Sequence, residues 1–161
     1  MNAGLLFFLA HRTSLCQKKL NRYLGFYGIE ITNVEICPKL SAFNPTMSQM
    51  LSTLPLAVVV STAVSRRPDC AVRLFDTLHI PLDARGEPKG VLQLHGDDKT
   101  GYLIESLNQA ILVLPDMPAE IGLMLPSACE RLQKKFSLTN EVPAEPVIPY
   151  EELIENSMNP K

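Results

Sequence analysis

Two short segments of the chain carry groups that could bind a phosphate. The first begins with Ser61 and Thr62 at the end of an apolar run and continues to Arg66 and Arg67. Hydroxyls can donate hydrogen bonds to a phosphate, and a guanidinium can clamp an anion. Hydroxyls at strand ends also bond local backbone, and loop arginines are commonly solvated. The residue types alone leave both uses open.

The second segment is a turn between an apolar run and a helix. Residues 110–114 are apolar, Pro115 ends the run, and Asp116 is placed to N-cap a helix that has Pro118 and Glu120 in its first turn. Backbone N–H groups and the helix dipole at such a turn point into the crevice where α/β proteins commonly bind ligands. The turn is therefore a candidate ligand site. The alternative is that the two acidic residues only favour the helix N-terminus.

Six runs along the chain are predicted to form strands that position these segments. Five of the runs are apolar, whereas residues 29–37 alternate, with a slip near Asn33, and are predicted to form a more exposed strand. The six runs span residues 5–10, 29–37, 56–60, 91–94, 102–105 and 110–114. The first three runs alternate with helical patterns, whereas the last three are joined by links of hairpin length. We therefore predict an α/β fold with three layers, a mixed and mostly parallel sheet, and helices on both faces.

The predicted helices begin and end at recognisable signals. A capping box starting at Ser14 opens the first helix and Gly28 closes it, while Pro68 starts a later one. The expected spans are residues 14–27, 47–51 after a loop with Asn44 and Pro45, 68–78, and 117–136 with Pro126 kinking or dividing the last helix. Residues 1–136 form the predicted domain, and residues 137–161 a proline-spaced tail.

The composition is that of a globular protein without a basic surface. Hydrophobic residues make up 46% and charged residues 20% of the 161 residues, and the formal net charge is -2. The sequence pI is about 5.9. This balance argues against nucleic acid or an anionic membrane as the main partner.

The cysteines and the N-terminus bear on metal binding and localisation. Four cysteines lie far apart without metal-ligand spacing, which favours free buried thiols in a reducing cytosol over a zinc site; they are Cys16, Cys37, Cys70 and Cys129. The apolar run at residues 4–10 lacks a preceding basic region and is interrupted by His11 and Arg12. Such a run is too short to cross a bilayer. We predict no metal site and a cytoplasmic protein.

Two segments together resemble a known family. Residues 56–82 have the order of an apolar strand, a loop with an acidic residue, and a helix that ends before a Pro-Leu turn. Residues 88–120 have a loop, strands, and the sequence Leu-Pro-Asp-Met-Pro-Ala-Glu at residues 114–120. Both are similar to the molybdopterin-binding (MoCF-type) domains shared by MogA-like, MoeA-like and CinA-like proteins. The resemblance covers roughly residues 5–136.

The resemblance implies a ligand and a chemistry. It associates the chain with molybdenum cofactor biosynthesis and with the competence/damage-inducible CinA-like group. The implied ligand is a phosphorylated pterin or a nucleotide, with Mg²⁺ accompanying the nucleotide or molybdopterin. Asp69 matches the acidic residue implied to act in metal-assisted attack on a phosphate bond. The implied ligand contacts are Ser61, Thr62, Ser65, Arg66, Pro115, Asp116 and Glu120. The resemblance further implies a homo-oligomer.

Three motifs of the family's pattern are altered in this sequence. His11 stands where a Gly-Asp-Glu-like motif begins, Ala63 and Val64 replace paired glycines, and Asp116 replaces a glycine. Glycine lets backbone amides turn toward a phosphate, which a β-branched valine resists. A carboxylate about 4 Å from a phosphate charge costs roughly 4 kcal/mol at an effective dielectric constant of about 20. The alternative function is therefore a non-catalytic regulatory or scaffold protein that retains the fold without a ligand. Whether the chain is an enzyme stays open.

Overall fold

Six strands form a single sheet in the part of the chain that the computed structural model describes, which is residues 1–62, 70–85 and 88–138, with only the backbone of residue 40 and residues 70–73. Their bounds are β1 Asn2–Phe8, β2 Glu30–Cys37, β3 Leu56–Ser61, β4 Leu92–His95, β5 Thr100–Glu105 and β6 Ala110–Pro115. The order is β2-β1-β3-β6-β5-β4. The pairings among β2, β1, β3 and β6 are parallel, whereas β5 and β4 add antiparallel strands beside β6. This confirms the predicted mixed, mostly parallel sheet.

Four α-helices cover the two faces of the sheet in the described residues. They are α1 Thr13–Gly25, α2 Phe43–Thr53, α3 Cys70–Thr77 and α4 Pro118–Phe136, and a single 3₁₀ turn, Leu40–Ala42, precedes α2. One core cluster joins α1 and α4 to the sheet, and a second cluster joins α2 and α3 to the opposite face. The predicted three-layer α/β architecture is confirmed.

The central strands are apolar throughout because both of their faces are covered. Every residue of β3 and of β6 is buried. Successive side chains point to opposite faces, so Val58 and Leu112 belong to one core cluster while Val59 and Val113 belong to the other. The edge strand β2 is largely exposed, and its pairing with β1 shifts register before Asn33, as predicted.

Two predicted helix starts are wrong. The capping box at Ser14 does not form, because α1 begins at Thr13 and its N-cap residue, Arg12, makes no side-chain cap hydrogen bond. The loop predicted around Asn44 and Pro45 is the first turn of α2. Proline is tolerated in a first turn, where its missing N–H would lack a helical partner in any case.

The last helix also differs from its prediction. Asp116 does not N-cap α4, because Met117 holds that position and makes no side-chain cap hydrogen bond. Pro126 lies inside a single helix of 19 residues and does not divide it. Ser137 ends the helix in the left-handed conformation, with φ of 52°. The predicted tail falls outside the described residues beyond Leu138, so its boundary stays a prediction.

The described helices are of the length and polarity found in globular domains. None of them combines the length and hydropathy required to cross a membrane. The apolar run near the N-terminus is the buried strand β1, as predicted.

Candidate functional site at the carboxyl edge of the sheet

Three parallel strands end side by side at the carboxyl edge of the sheet. Phe8 of β1 pairs with Ser61 of β3, and Ser61 pairs with Pro115 of β6. The backbone N–H of Asp116 donates to the carbonyl oxygen of Ser61 at 3.1 Å. Thr62 Oγ1 donates to the carbonyl oxygen of Leu9 at 2.6 Å. The two segments singled out in the sequence therefore lie together, and the loop after β1 joins them.

The Asp116 carboxylate points toward the N-terminus of α1. The side chain is only 3% exposed. Its oxygens accept hydrogen bonds from the backbone N–H of His11 at 2.6 Å and of Arg12 at 3.1 and 3.2 Å. These amides directly precede the first turn of α1, where N–H groups lack helical partners and the dipole favours negative charge. Asp116 therefore supplies from a distant segment the cap that Ser14 was predicted to supply.

Two side chains complete the surroundings of Asp116. Arg12 Nη1 donates to the Asp116 carbonyl oxygen at 3.2 Å, which brings a positive charge beside the carboxylate. Cys16 Sγ donates to Asp116 Oδ1 at 3.4 Å. Burial, followed by the hydrogen bond to Asp116, raises the pKa of the Cys16 thiol to about 12. The thiol is therefore protonated at neutral pH and acts as a weak donor rather than a nucleophile.

Glu120 holds a different loop in the same way. Its carboxylate accepts hydrogen bonds from the backbone N–H groups of Asp97 at 2.8 Å, Asp98 at 2.7 Å and Lys99 at 3.0 Å. These residues form the turn between β4 and β5. The hydrogen bond from Asp98, with those from Asp97 and Lys99, lowers the pKa of Glu120 against the opposing effect of its burial. Besides standing in the first turn of α4, Glu120 thus clamps this hairpin.

Gly96 allows Glu120 to approach the hairpin closely. A Cβ atom at position 96 would overlap the carboxylate of Glu120. Any other residue there would push Glu120 away from the amides of the turn. Glycine is required at position 96 because of this internal contact, and nothing in the sequence indicated the contact.

The remaining predicted contacts divide into those the structure describes and those it does not. Ser61 and Pro115 are buried at the strand ends, and Thr62 is exposed. The Thr62 hydroxyl donates to the backbone of Leu9, which is 53 residues away in the sequence, so it does not bond local backbone as the structural alternative expected. Ser65, Arg66 and Asp69 lie outside the described residues. Within residues 1–62, 70–85 and 88–138, no cluster of three or more His, Cys, Asp or Glu side chains could hold a metal ion.

Sequence reasoning missed the contribution of the loop after β1. Leu9 has φ of 52°, a left-handed conformation that is uncommon for a residue with a Cβ atom. The turn brings the amides of His11 and Arg12 to Asp116. One signal could have indicated this contact: an acidic residue stands where the resemblance expects glycine, beside the end of a parallel strand.

At this edge, the backbone amides of His11 and Arg12 bind an anion that the protein itself supplies, the carboxylate of Asp116. The N–H groups that precede α1 have the character of groups that bind phosphate at helix N-termini. Asp116 already engages them with a charge of the same sign as a phosphate. A phosphate at the same amides would have to displace this carboxylate or lie against it, at the repulsive cost of roughly 4 kcal/mol at about 4 Å.

The strand order and the helix layers define a fold of the molybdopterin-binding type. Solved structures with this fold include CinA, a protein of unknown function from Thermoplasma acidophilum, with a TM-score of 0.67 at 11% identity over 81% of this chain and 97% of that one. MoaB, a molybdopterin biosynthesis enzyme from Thermus thermophilus, gives 0.58 at 13% identity over 83% and 95%. MogA gives 0.57 at 12% identity over 85% and 98%.

The sequence itself matches no family model and no curated protein. At identities of 11–13%, the structural likeness establishes the fold alone.

Proposed function

We propose that this chain is a non-catalytic regulatory or scaffold protein that retains the molybdopterin-binding type of fold without its phosphorylated ligand. The observation that carries the proposal is the position of the Asp116 carboxylate. It is buried and accepts hydrogen bonds from the two amides before α1. A protein that used those amides for a phosphate would need them unoccupied in the free state.

The second buried acid supports the same function. Glu120 is 4% exposed and is held by three backbone amides. A carboxylate engaged in this way has little capacity left to bind a magnesium ion or activate water. Both acids of the turn therefore stabilise the fold.

The test compares wild type with Asp116→Gly, which restores the glycine expected from the resemblance. Inorganic phosphate should raise the melting temperature of Asp116→Gly and leave wild type unchanged at matched ionic strength. At a hundredfold excess over Kd, the linkage is worth about 2.7 kcal/mol. Glu120→Gln is the matched control, since it neutralises the other buried carboxylate without touching the amides before α1. An equal response of wild type and Asp116→Gly would contradict the proposal.

A second candidate function is binding of a phosphorylated pterin or a nucleotide, with Mg²⁺. The observation that favours it is the convergence of three parallel strand ends on Ser61, because open α/β sheets bind ligands at this edge. The structural likeness to MogA and MoaB supports this second function by analogy only. Thermal shift of the full chain with Mg²⁺ and ATP, GTP or pterin phosphates tests it. A saturable rise that Arg66→Ala and Asp69→Ala weaken would replace the non-catalytic proposal with this one.

We also propose that the protein acts in the cytoplasm as a homo-oligomer. The three cysteines whose side chains the structure describes are buried free thiols, which suits a reducing compartment. The edge strand β2 exposes Val34 by 40% and Ile36 by 70%, and such a surface suits a partner copy. Light scattering of the full chain tests the assembly, and a mass equal to one chain at micromolar concentration would reject it.

A further inference from the structure

A cleft of about 320 Å³ opens at the end of the sheet opposite to the Asp116 turn. It lies where β6 begins, roughly 16 Å from the end of this strand at about 3.3 Å per residue. Ile104, Ala110 and Ile111 from β5 and β6 line it. Apolar side chains from other elements complete the lining, namely Leu51 of α2, Leu78 and Ile80 after α3, and Val91 before β4.

The strand residues of the lining belong to the well-packed part of the protein. Ile104 is 7% exposed and Ile111 is 5% exposed, and both belong to the core cluster on the face covered by α2 and α3. Gln109 Nε2 donates to the carbonyl oxygens of Leu51 and Leu54, the latter at 3.1 Å. This contact ties the end of α2 to the start of β6, so fixed elements build this wall of the cleft.

The polar groups at the rim of the cleft differ in whether other described residues bind them. Ser106 Oγ donates to the Gln109 carbonyl oxygen at 3.3 Å. The Glu105 carboxylate pairs with Arg131 at 2.8 Å and Lys135 at 3.9 Å. The ammonium group of Lys89 has no hydrogen bond or ion pair with any residue that the structure describes, although its backbone N–H donates to Pro81 at 2.9 Å. The rim thus presents, beside an apolar lining, a cation that none of the described residues pairs.

We propose that this cleft binds a small organic anion with an apolar, flat or branched body and a single carboxylate. The volume is at the small end of the range for ligand pockets, about 300–1,000 Å³. The body would contact Ile104, Ile111 and Val91, and the carboxylate would pair with Lys89. The site is separate from the carboxyl edge and independent of the function proposed for it.

The experiment titrates the full chain with 1-naphthoate and, in parallel, with uncharged 1-naphthalenemethanol. Calorimetry should give saturable binding of 1-naphthoate, and amide NMR shifts should centre on Gly90, Ile104 and Ile111. Lys89→Gln should weaken 1-naphthoate about fivefold, the upper end for a solvent-accessible ion pair. It should leave 1-naphthalenemethanol unchanged. The matched control is Lys18→Gln, since Lys18 is an exposed lysine on α1, a helix of the opposite face.

Filling the cleft should abolish binding. Val91→Trp places an indole in the lining, and Leu78→Trp does so from a position that is already 42% exposed, so at least one variant should fold. A folded filling variant that binds 1-naphthoate as wild type does would overturn the proposal. So would an absence of saturable binding by the wild-type chain, or NMR shifts confined to residues outside the lining. A site that prefers the uncharged probe would overturn the role of Lys89.

Discussion

At the scale of single residues, two buried carboxylates organise the turn after β6. Asp116 holds the loop before α1, and Glu120 holds the loop between β4 and β5. Hydrogen bonds to charged groups are worth about 1.5–3 kcal/mol each. Removal of either carboxylate would also leave backbone N–H donors without an acceptor, two in the case of Asp116 and three in the case of Glu120. The turn after β6 therefore stabilises two neighbouring loops as well as forming part of the candidate site.

Asp116→Ala should lower the free energy of unfolding by about 2–3 kcal/mol, because it leaves the N–H groups of His11 and Arg12 without their acceptor. Urea denaturation measures the change. Asp98→Asn, which alters an exposed carboxylate, should stay within about 0.5 kcal/mol of wild type. Equal stability of Asp116→Ala and wild type would show that the cap contributes nothing.

The low pKa of Glu120 should make stability depend on pH. Its pKa is lower in the folded chain than its ordinary 4.5, so the stabilisation is present above the ordinary pKa and is lost as the pH falls through the folded pKa. Glu120→Gln should therefore be less stable than wild type at pH 7, and the difference should shrink as the solution is acidified. Urea melts of both proteins at pH 7 and pH 3 measure this, and a constant difference would refute it.

The buried thiols of Cys16 and Cys129 should be unreactive in the folded protein. Burial raises the pKa of each thiol to about 12, so almost none is thiolate at pH 8. Iodoacetamide at pH 8 should modify both only after denaturation, as peptide mass spectrometry would report. Their stabilisation is fully present below the ordinary pKa of 9.0 and is lost as the pH rises toward about 12. Rapid modification of the native protein would show that either site opens readily.

At the scale of elements, loops hold neighbouring helices and strands together through side-chain contacts with backbone. Gln109, the residue before β6, donates to the carbonyl oxygens of Leu51 and Leu54 at the end of α2. Asp116, at the other end of β6, binds the start of α1. One strand thus anchors a helix on each face of the sheet, at opposite edges.

Gln109→Ala should loosen the end of α2, because the last carbonyl groups of a helix lack helical partners. We expect a loss of about 1–2 kcal/mol in the free energy of unfolding. Hydrogen exchange should accelerate near the end of α2 more than in α1. Gln49→Ala, an exposed change on the same helix, is the control and should leave both unchanged. Uniform acceleration across the protein would contradict a local role.

At the scale of the whole molecule, two core clusters share one sheet. Leu112 packs toward α1 and α4, whereas Val113 packs toward α2 and α3, and both are fully buried. Because adjacent residues of β6 belong to different clusters, neither face can unpack without disturbing the strand that supports the other. The described residues 1–62, 70–85 and 88–138 should therefore unfold as one unit.

Leu112→Ala should cost about 2–5 kcal/mol through lost burial and the cavity left behind. The loss should appear equally in the slowest-exchanging amides of α1 and of α2, although α2 lies on the other face. Hydrogen exchange by NMR measures both. A loss confined to α1 would show two independently stable layers.

Much of the architecture follows from local pattern. Short apolar runs such as β3 and β6 are apolar at every position because both faces of a central parallel strand are covered, so their burial was predictable. The alternation with helices indicated the parallel part of the sheet, and the hairpin-length links indicated the antiparallel part. Signals at helix ends were less reliable. The capping box at Ser14 does not form because a tertiary contact caps α1, and Pro45 does not mark a loop because the first turn of a helix tolerates proline.

Length, charge and the spacing of apolar residues suffice for an α/β domain with a mixed sheet, since burial of each strand depends on the residues within it. The partners of Asp116 and Glu120 depend instead on contacts between segments 104 and 22 residues apart, to Arg12 and Asp98 respectively. Those contacts join a side chain to backbone amides, which every residue except proline carries, so residue types can point to the acidic acceptor but not to the amides that donate to it. Only the tertiary structure shows that the Asp116 carboxylate is buried and accepts hydrogen bonds from the amides before α1.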